Sequence, residues 1–186
     1  MDRQQAISLI ATQQMKEMPA EKRRDLIEVL FMFQHEMHSA LIGTFPISLQ
    51  EELCSGKQQY DYADKRYDPI VVKEFIAKFY GARNSYVLAK VQALHVDVTH
   101  IDGEEETLLP CPCCGYQTLE ARNDYEICGV CFWEDDGANT EDDYSGPNHM
   151  TLAQGRQNYA KFGACSKDMV KNVEPEGRLK YHRHER

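Results

Sequence analysis

The chain has 186 residues, 42% of them apolar, and a formal net charge of −9; this is length for one ordinary domain or two small ones, with enough apolar content for a packed core. An acidic balance excludes a protein that coats phosphate backbones along its whole surface, because that needs Lys and Arg to displace counterions. Residues 1–19 are too polar for a secretion signal and no stretch approaches the roughly 20 apolar residues of a membrane span, so the expectation is a cytoplasmic protein with no membrane partner.

Residues 2–18 set Ala6, Ile7, Leu9, Ile10 and Met15 at helical spacing against Gln4, Gln13, Gln14 and Lys16. Pro19 suits the first turn of a second helix, with Glu21 near its positive dipole end, running to about His38. From Leu26 to Phe33 that helix is apolar almost all round, the pattern of a helix buried between neighbours or of a partner surface. His35 and His38 share a face, but no third metal ligand accompanies them. Ser48-Leu49-Gln50-Glu51 reads as a capping box opening a short helix that ends near Gly56. Residues 57–67 form a charged, tyrosine-rich loop. Asp68-Pro69 starts the next helix, with Ile70, Val71, Phe75, Ile76 and Phe79 at core spacing and Gly81 as its stop. Asn84 caps a further helix with Tyr86, Val87, Val91 and Leu94 on its inner face. Residues 1–100 thus read as an all-helical domain of four or five helices.

The charge pattern changes near residue 100. Residues 1–100 carry 12 Lys/Arg against 13 Asp/Glu, residues 101–155 carry 13 Asp/Glu against Arg122 alone, and residues 156–186 carry 8 Lys/Arg against 4 Asp/Glu. The middle segment, at a net of −12, is an acidic surface that argues against a nucleic-acid partner through this part of the chain. Residues 96–106 read as a linker into it, with room for a short strand.

The segment holds Cys111-Pro112-Cys113-Cys114-Gly115 and Cys128-Gly129-Val130-Cys131. Two C-x-x-C turns aim four thiolates at one point, the set that tetrahedral zinc prefers, so Cys111, Cys114, Cys128 and Cys131 are the expected ligands of one structural Zn2+ per chain. Gly115 suits a rubredoxin-like knuckle, where the backbone turns toward sulfur. Four thiolates close the site to water or substrate, which sets a fold staple above a catalytic metal. Disulfide pairing is the alternative, weighed down by an odd count of 7 cysteines and the absence of a secretion signal. Cys113 is expected to point away from the metal and pack internally, with a spare ligand or a redox thiol as the sharper readings. Cys54 and Cys165 read as core thiols. His149 is a conceivable substitute ligand that four cysteines make unnecessary.

Residues 107–109 lead into the first knuckle, residues 116–119 and 125–127 are short strand candidates, and Phe132-Trp133 begins a third. Thr151 caps a helix through Phe162, ended by Gly163. Residues 175–186 read as a frayed polar tail. The fold class is therefore α+β: a helical domain over 1–100, a zinc-ribbon-like β domain with a C-terminal helix over 101–174, and the tail.

The run from Cys111 to Tyr116, Tyr125 to Cys131, and Trp133-Glu134-Asp135-Asp136-Gly137 resembles the bacterial cysteine-rich CPCC family. Ser145-Gly146-Pro147-Asn148-His149, Asn158-Tyr159 and Phe162-Gly163-Ala164 extend that likeness over roughly residues 108–166. Glu51-Glu52-Leu53, Tyr67-Asp68-Pro69 and Asn84-Ser85-Tyr86 are similar to a helical leader found on some members. The resemblance implies a zinc-binding bacterial domain whose genes neighbour secreted polymorphic toxins, including those with Rhs-type repeats, and hence an immunity protein. It transfers no catalytic residue.

The partner surface is expected at Trp133, Glu134, Asp135, Asp136, Glu141, Asp142 and Asp143. Trp133 otherwise lids the ribbon core, and the acids otherwise form a solvated loop or, with spacing unlike an EF-hand, a calcium site. The leading expectation is a non-enzymatic protein that neutralises a basic toxin domain, such as a nuclease, by covering it. A zinc-ribbon regulatory adaptor and a thiol redox enzyme using Cys113 are the alternatives.

Overall fold

The computed structural model describes residues 1–32, 42–55 and 61–184. The chain divides into two compact units, residues 1–80 with 90–98 and residues 81–89 with 99–186. The division passes through a helix rather than falling in the linker alone.

The first unit is helical: α1 (Arg3–Glu17), α2 (Ala20–Met32), α3 (Ile47–Cys54), a 3-10 turn (Lys65–Tyr67) and α4 (Asp68–Ala77), followed across the division by α5 (Asn84–Ala93). Asp2 caps α1 by accepting from the Gln5 amide at 3.0 Å. The core gathers Ile27, Phe45, Leu49, Leu53, Tyr67, Ile70 and Val71, with Met15 and Phe75 packed against it. Arg23 fastens the loop before α4, its guanidinium donating to the Tyr62 and Asp64 carbonyls and meeting Asp68 at 2.8 Å.

Several expectations shift here. Helix α3 starts at Ile47 behind Pro46 with no side-chain cap, so Ser48 lies inside it and the expected capping box is not used. Gln50 instead donates to the Phe45 carbonyl at 2.7 Å. Cys54 is exposed rather than core. Ile27 is buried but Val29 is 52% exposed, so α2 is two-faced in its middle. Phe33, His35, His38 and Gly56 lie outside the described residues.

The second unit mixes helices with two small antiparallel sheets. Strand β1 (Leu109–Pro110) pairs with β2 (Gln117–Leu119), and β3 (Tyr144–Ser145) with β4 (Met150–Thr151). Helix α6 (Leu152–Phe162) opens on a capping box of Thr151 and Gln154 and ends on Gly163 at φ 80°, as its sequence requires. The strands anticipated at 125–127 and 132–133 reduce to one bridge, Ile127 to Glu134. Asn123, Tyr125 and Phe132 all sit at positive φ, which bends the chain away from extended pairing.

Residues 175–186 are not a frayed tail within the described part. Helix α7 (Gly177–Lys180) follows a 3-10 turn (Lys167–Asn172). Beyond it, the Gln117 amide donates to the His182 carbonyl at 2.9 Å and the His184 amide donates to the Gly115 carbonyl at 2.8 Å. Lys180 is buried, its ammonium 2.8 Å from Glu174. The polar composition that suggested fraying supplies these bonds. Arg83 donates through its guanidinium to the Leu179 carbonyl, and Tyr86 through its hydroxyl to Glu176, so the start of α5 belongs with this unit.

Trp133 is wholly enclosed among Cys111, Leu119, Val130 and Leu152. Its ring lies against Gly155, where an added Cβ would come within 2.5 Å of Cζ3. This explains a glycine inside α6 that propensity alone disfavours by about 1 kcal/mol. Gly155→Ala should therefore destabilise the unit by about 1–3 kcal/mol despite better helix propensity, because a rigid indole has no room to yield. Urea denaturation followed by Trp133 fluorescence measures this, and a stabilised variant would contradict the packing.

Candidate metal centre

Two turns of like geometry build the site. In the first, the Gly115 amide donates to the Cys111 carbonyl at 2.9 Å and the Cys111 amide to the Tyr116 carbonyl at 2.8 Å. In the second, the Phe132 amide donates to the Cys128 carbonyl at 2.8 Å and the Cys128 amide to the Trp133 carbonyl at 2.9 Å. Gly115 (φ 80°) and Phe132 (φ 63°) occupy equivalent left-handed positions. Glycine adopts this freely, whereas phenylalanine is strained there by about 1–2 kcal/mol. The second turn keeps Phe132 because its ring packs on the core; its backbone carbonyl accepts from the Cys165 thiol at 3.1 Å.

The four ligand-type sulfurs lie within 4.8 Å of one another. Cys111 and Cys131 stand 3.6 Å apart, as do Cys114 and Cys128. Sulfurs bound at about 2.3 Å to one tetrahedral ion are about 3.8 Å apart, so this spacing fits a single metal. It is far longer than the roughly 2.05 Å of a disulfide, which counts against the pairing alternative. All four side chains are buried. Burial pushes the Cys111 and Cys131 thiols well above their ordinary range. Burial acts the same way on Cys128, but hydrogen bonds from Cys111, Cys114, Cys131 and Thr118 outweigh it and hold that thiol well below the range. The donors thus crowd around one shared point, where a divalent cation would convert all four to thiolates. Thr118 donates its hydroxyl to the Cys128 sulfur at 3.1 Å, a supporting bond that spacing did not reveal.

Among the described residues no other set of three His, Cys, Asp or Glu ligand atoms comes together. His149 is outside the cluster. Cys113 is 1% exposed and packs toward Gly155 rather than joining the ligands. Cys165 is also buried, and burial pushes its thiol up to about 12.

The acidic block divides into interior and surface groups. Trp133 and Asp135 are fully buried, so neither can form the partner surface expected of it. The Asp135 carboxylate accepts from Arg122 Nε and from the Asn123 amide, both at 2.8 Å. Arg122 also donates to the Ala138 carbonyl and the Asn139 side chain. Asp136 accepts from the Gly146 amide at 3.1 Å. Asp143 accepts from the Asn139 and Thr140 amides and the Thr140 hydroxyl, bonds that bring its carboxyl down to about 2. Because that value lies below the ordinary 3.8, the loop's support is complete above pH ~4 and is lost as pH falls through about 2. Glu134 is half-buried, its amide donating to Asn148. Only Glu141 and Asp142 of the block stand exposed.

The model of the family described as cysteine-rich CPCC matches residues 109–178. That span contains both turns, Trp133, the acidic block and α6, and leaves the N-terminal helical unit outside. No curated protein and no solved structure matches the chain.

Purified protein should hold one divalent metal per chain, and Co(II) substitution should give the absorption bands of a tetrahedral thiolate site. Serine at any of Cys111, Cys114, Cys128 or Cys131 should abolish this, while Cys113→Ser should retain it. Equal metal loss in the Cys113 variant would move that thiol into the ligand set. Arg122→Ala should destabilise the unit by about 3 kcal/mol, because it strands a buried carboxylate. Asp135→Asn should cost less in the same denaturation assay, since it removes the charge that needs compensation.

Proposed function

We propose that the chain is a non-catalytic binding protein whose second unit is a zinc ribbon, and that it engages a basic protein partner through the exposed acids of that unit. The observation that carries this reading is the closure of the site. Four buried sulfurs already satisfy a tetrahedral ion, so no position is left for water or substrate. Four thiolates suit zinc or iron, and zinc is the redox-inert choice for a fold staple. The redox alternative needs an exposed Cys113 thiol, whereas Cys113 is 1% exposed, at the back of a cleft also lined by Arg156 and Tyr159.

The docking face consists of Glu120, Asp124, Glu141 and Asp142, all exposed, together with Tyr125 (62% exposed), Ile127 (49%) and Tyr144 (64%). Exposed aromatic side chains together with exposed acids are the composition of a protein interface. The net of −12 over residues 101–155 favours a basic counterpart and speeds encounter with it. A bacterial toxin domain is the partner class that the family resemblance implies, and neutralisation by direct coverage is the corresponding role.

Metal analysis should return zinc, and stoichiometric iron with its red colour would sink that part of the reading. For the docking face, Glu120→Gln, Asp124→Asn, Glu141→Gln and Asp142→Asn together should slow association with a basic toxin domain encoded beside this gene. A drop of about tenfold at low salt is expected, converging with the parent near 1 M salt as screening shortens the Debye length to about 3 Å. Metal content and melting should not change. Stopped-flow rates identical to the parent at low salt would remove the acidic face from the account.

A further inference from the structure

The basic C-terminal segment folds back on the first cysteine turn and makes a site of opposite sign to the rest of its unit. Arg156, Tyr159, Arg183 and His184 line a cleft of about 590 Å³ against Cys113 and Cys114. Arg156 is held by its Nε–H donating to the Pro112 carbonyl at 3.1 Å, and its only carboxylate partner among the described residues is Glu141, a loose 3.6 Å away on a side chain 75% exposed. Arg183 rests over the Tyr116 ring at 5.5 Å. The His184 backbone is fixed by its N–H donating to the Gly115 carbonyl at 2.8 Å. Among the described residues no carboxylate pairs with Arg183.

We propose that this cleft binds a compact phosphate monoester of mononucleotide size. Donors arrive from two parts of the chain, α6 and the segment around Arg183 and His184, rather than from one. A tetrahedral phosphate offers acceptors in several directions, whereas a carboxylate offers them in one plane, and guanidinium groups match phosphate oxygens in pairs. The cleft is far larger than a lone phosphate and within the roughly 300–1,000 Å³ of small-molecule sites. Tyr159 gives it an aromatic wall for the organic group. A nucleic-acid polymer is disfavoured, because the net of −12 over residues 101–155 repels its further phosphates.

The test uses the full metal-loaded chain, isotopically labelled, with adenosine 5′-monophosphate, inorganic phosphate, adenosine, acetate and a single-stranded oligonucleotide as probes at constant ionic strength. Saturable shifts of the Arg156 and Arg183 Nε–H signals and of His184 are expected with adenosine 5′-monophosphate, weaker ones with phosphate, and none with adenosine or acetate. Arg183→Gln should weaken binding about tenfold, as loss of a charge-assisted bond requires. Glu141→Gln should tighten it about twofold to threefold by removing the competing carboxylate. Opposite effects in two folded variants cannot come from general destabilisation. Non-saturable shifts, equal binding by the Arg183 variant, equal binding of acetate, or tighter binding of the oligonucleotide would each overturn the proposal.

Discussion

Four thiols that share one point are the constraint on which the second unit depends. Its strands are two or three residues long, too short to stand alone in water, where even an isolated hairpin is marginal. The two cysteine turns compensate by fixing two chain reversals against each other, and the buried sulfurs form part of the core itself with Leu119, Val130, Trp133 and Leu152. A metal at that point contributes folding free energy directly, since the ligands are gathered only in the folded chain. The requirement for Gly155 then follows from Trp133, and Trp133 from the need to cover the sulfurs with a large apolar ring.

Charge is organised in two tiers. Carboxylates inside the loops act as hydrogen-bond acceptors for turns: Asp135 for Arg122 and Asn123, Asp143 for Asn139 and Thr140, and Glu126 for the Glu120 and Ala121 amides. These groups stabilise the chain path and are poorly placed to meet a partner. A second set, Glu141 and Asp142 with Glu120 and Asp124, faces solvent. Sequence density of acids therefore overstates the surface charge available for docking. Of the basic C-terminal residues, Arg156, Arg183 and His184 line one cleft beside the first turn, while Lys161, Lys167, Lys171 and Arg178 face solvent.

The family match and the geometry describe the same part of the molecule. The match over residues 109–178 ends before the segment around His182 and His184 that pairs with Gln117 and Gly115. The first unit has its own core, held by contacts among its own helices and the Arg23 clamp, and falls outside that match.

By itself the sequence determined the four-cysteine cluster, the helical character of the first unit's described residues, and helix α6 with both its ends. These are local matters: C-x-x-C spacing sets where two sulfurs point, and Thr151, Gln154 and Gly163 act on backbone groups within one turn of themselves. Tertiary structure alone decided which acids are buried, because Asp135 and Asp142 are the same residue type and only Arg122 tells them apart. It also decided that Trp133 is core, that Cys54 is exposed, and that the polar C-terminal segment is ordered. Each of those outcomes depends on a partner many residues away, at a distance that neither periodicity nor composition encodes.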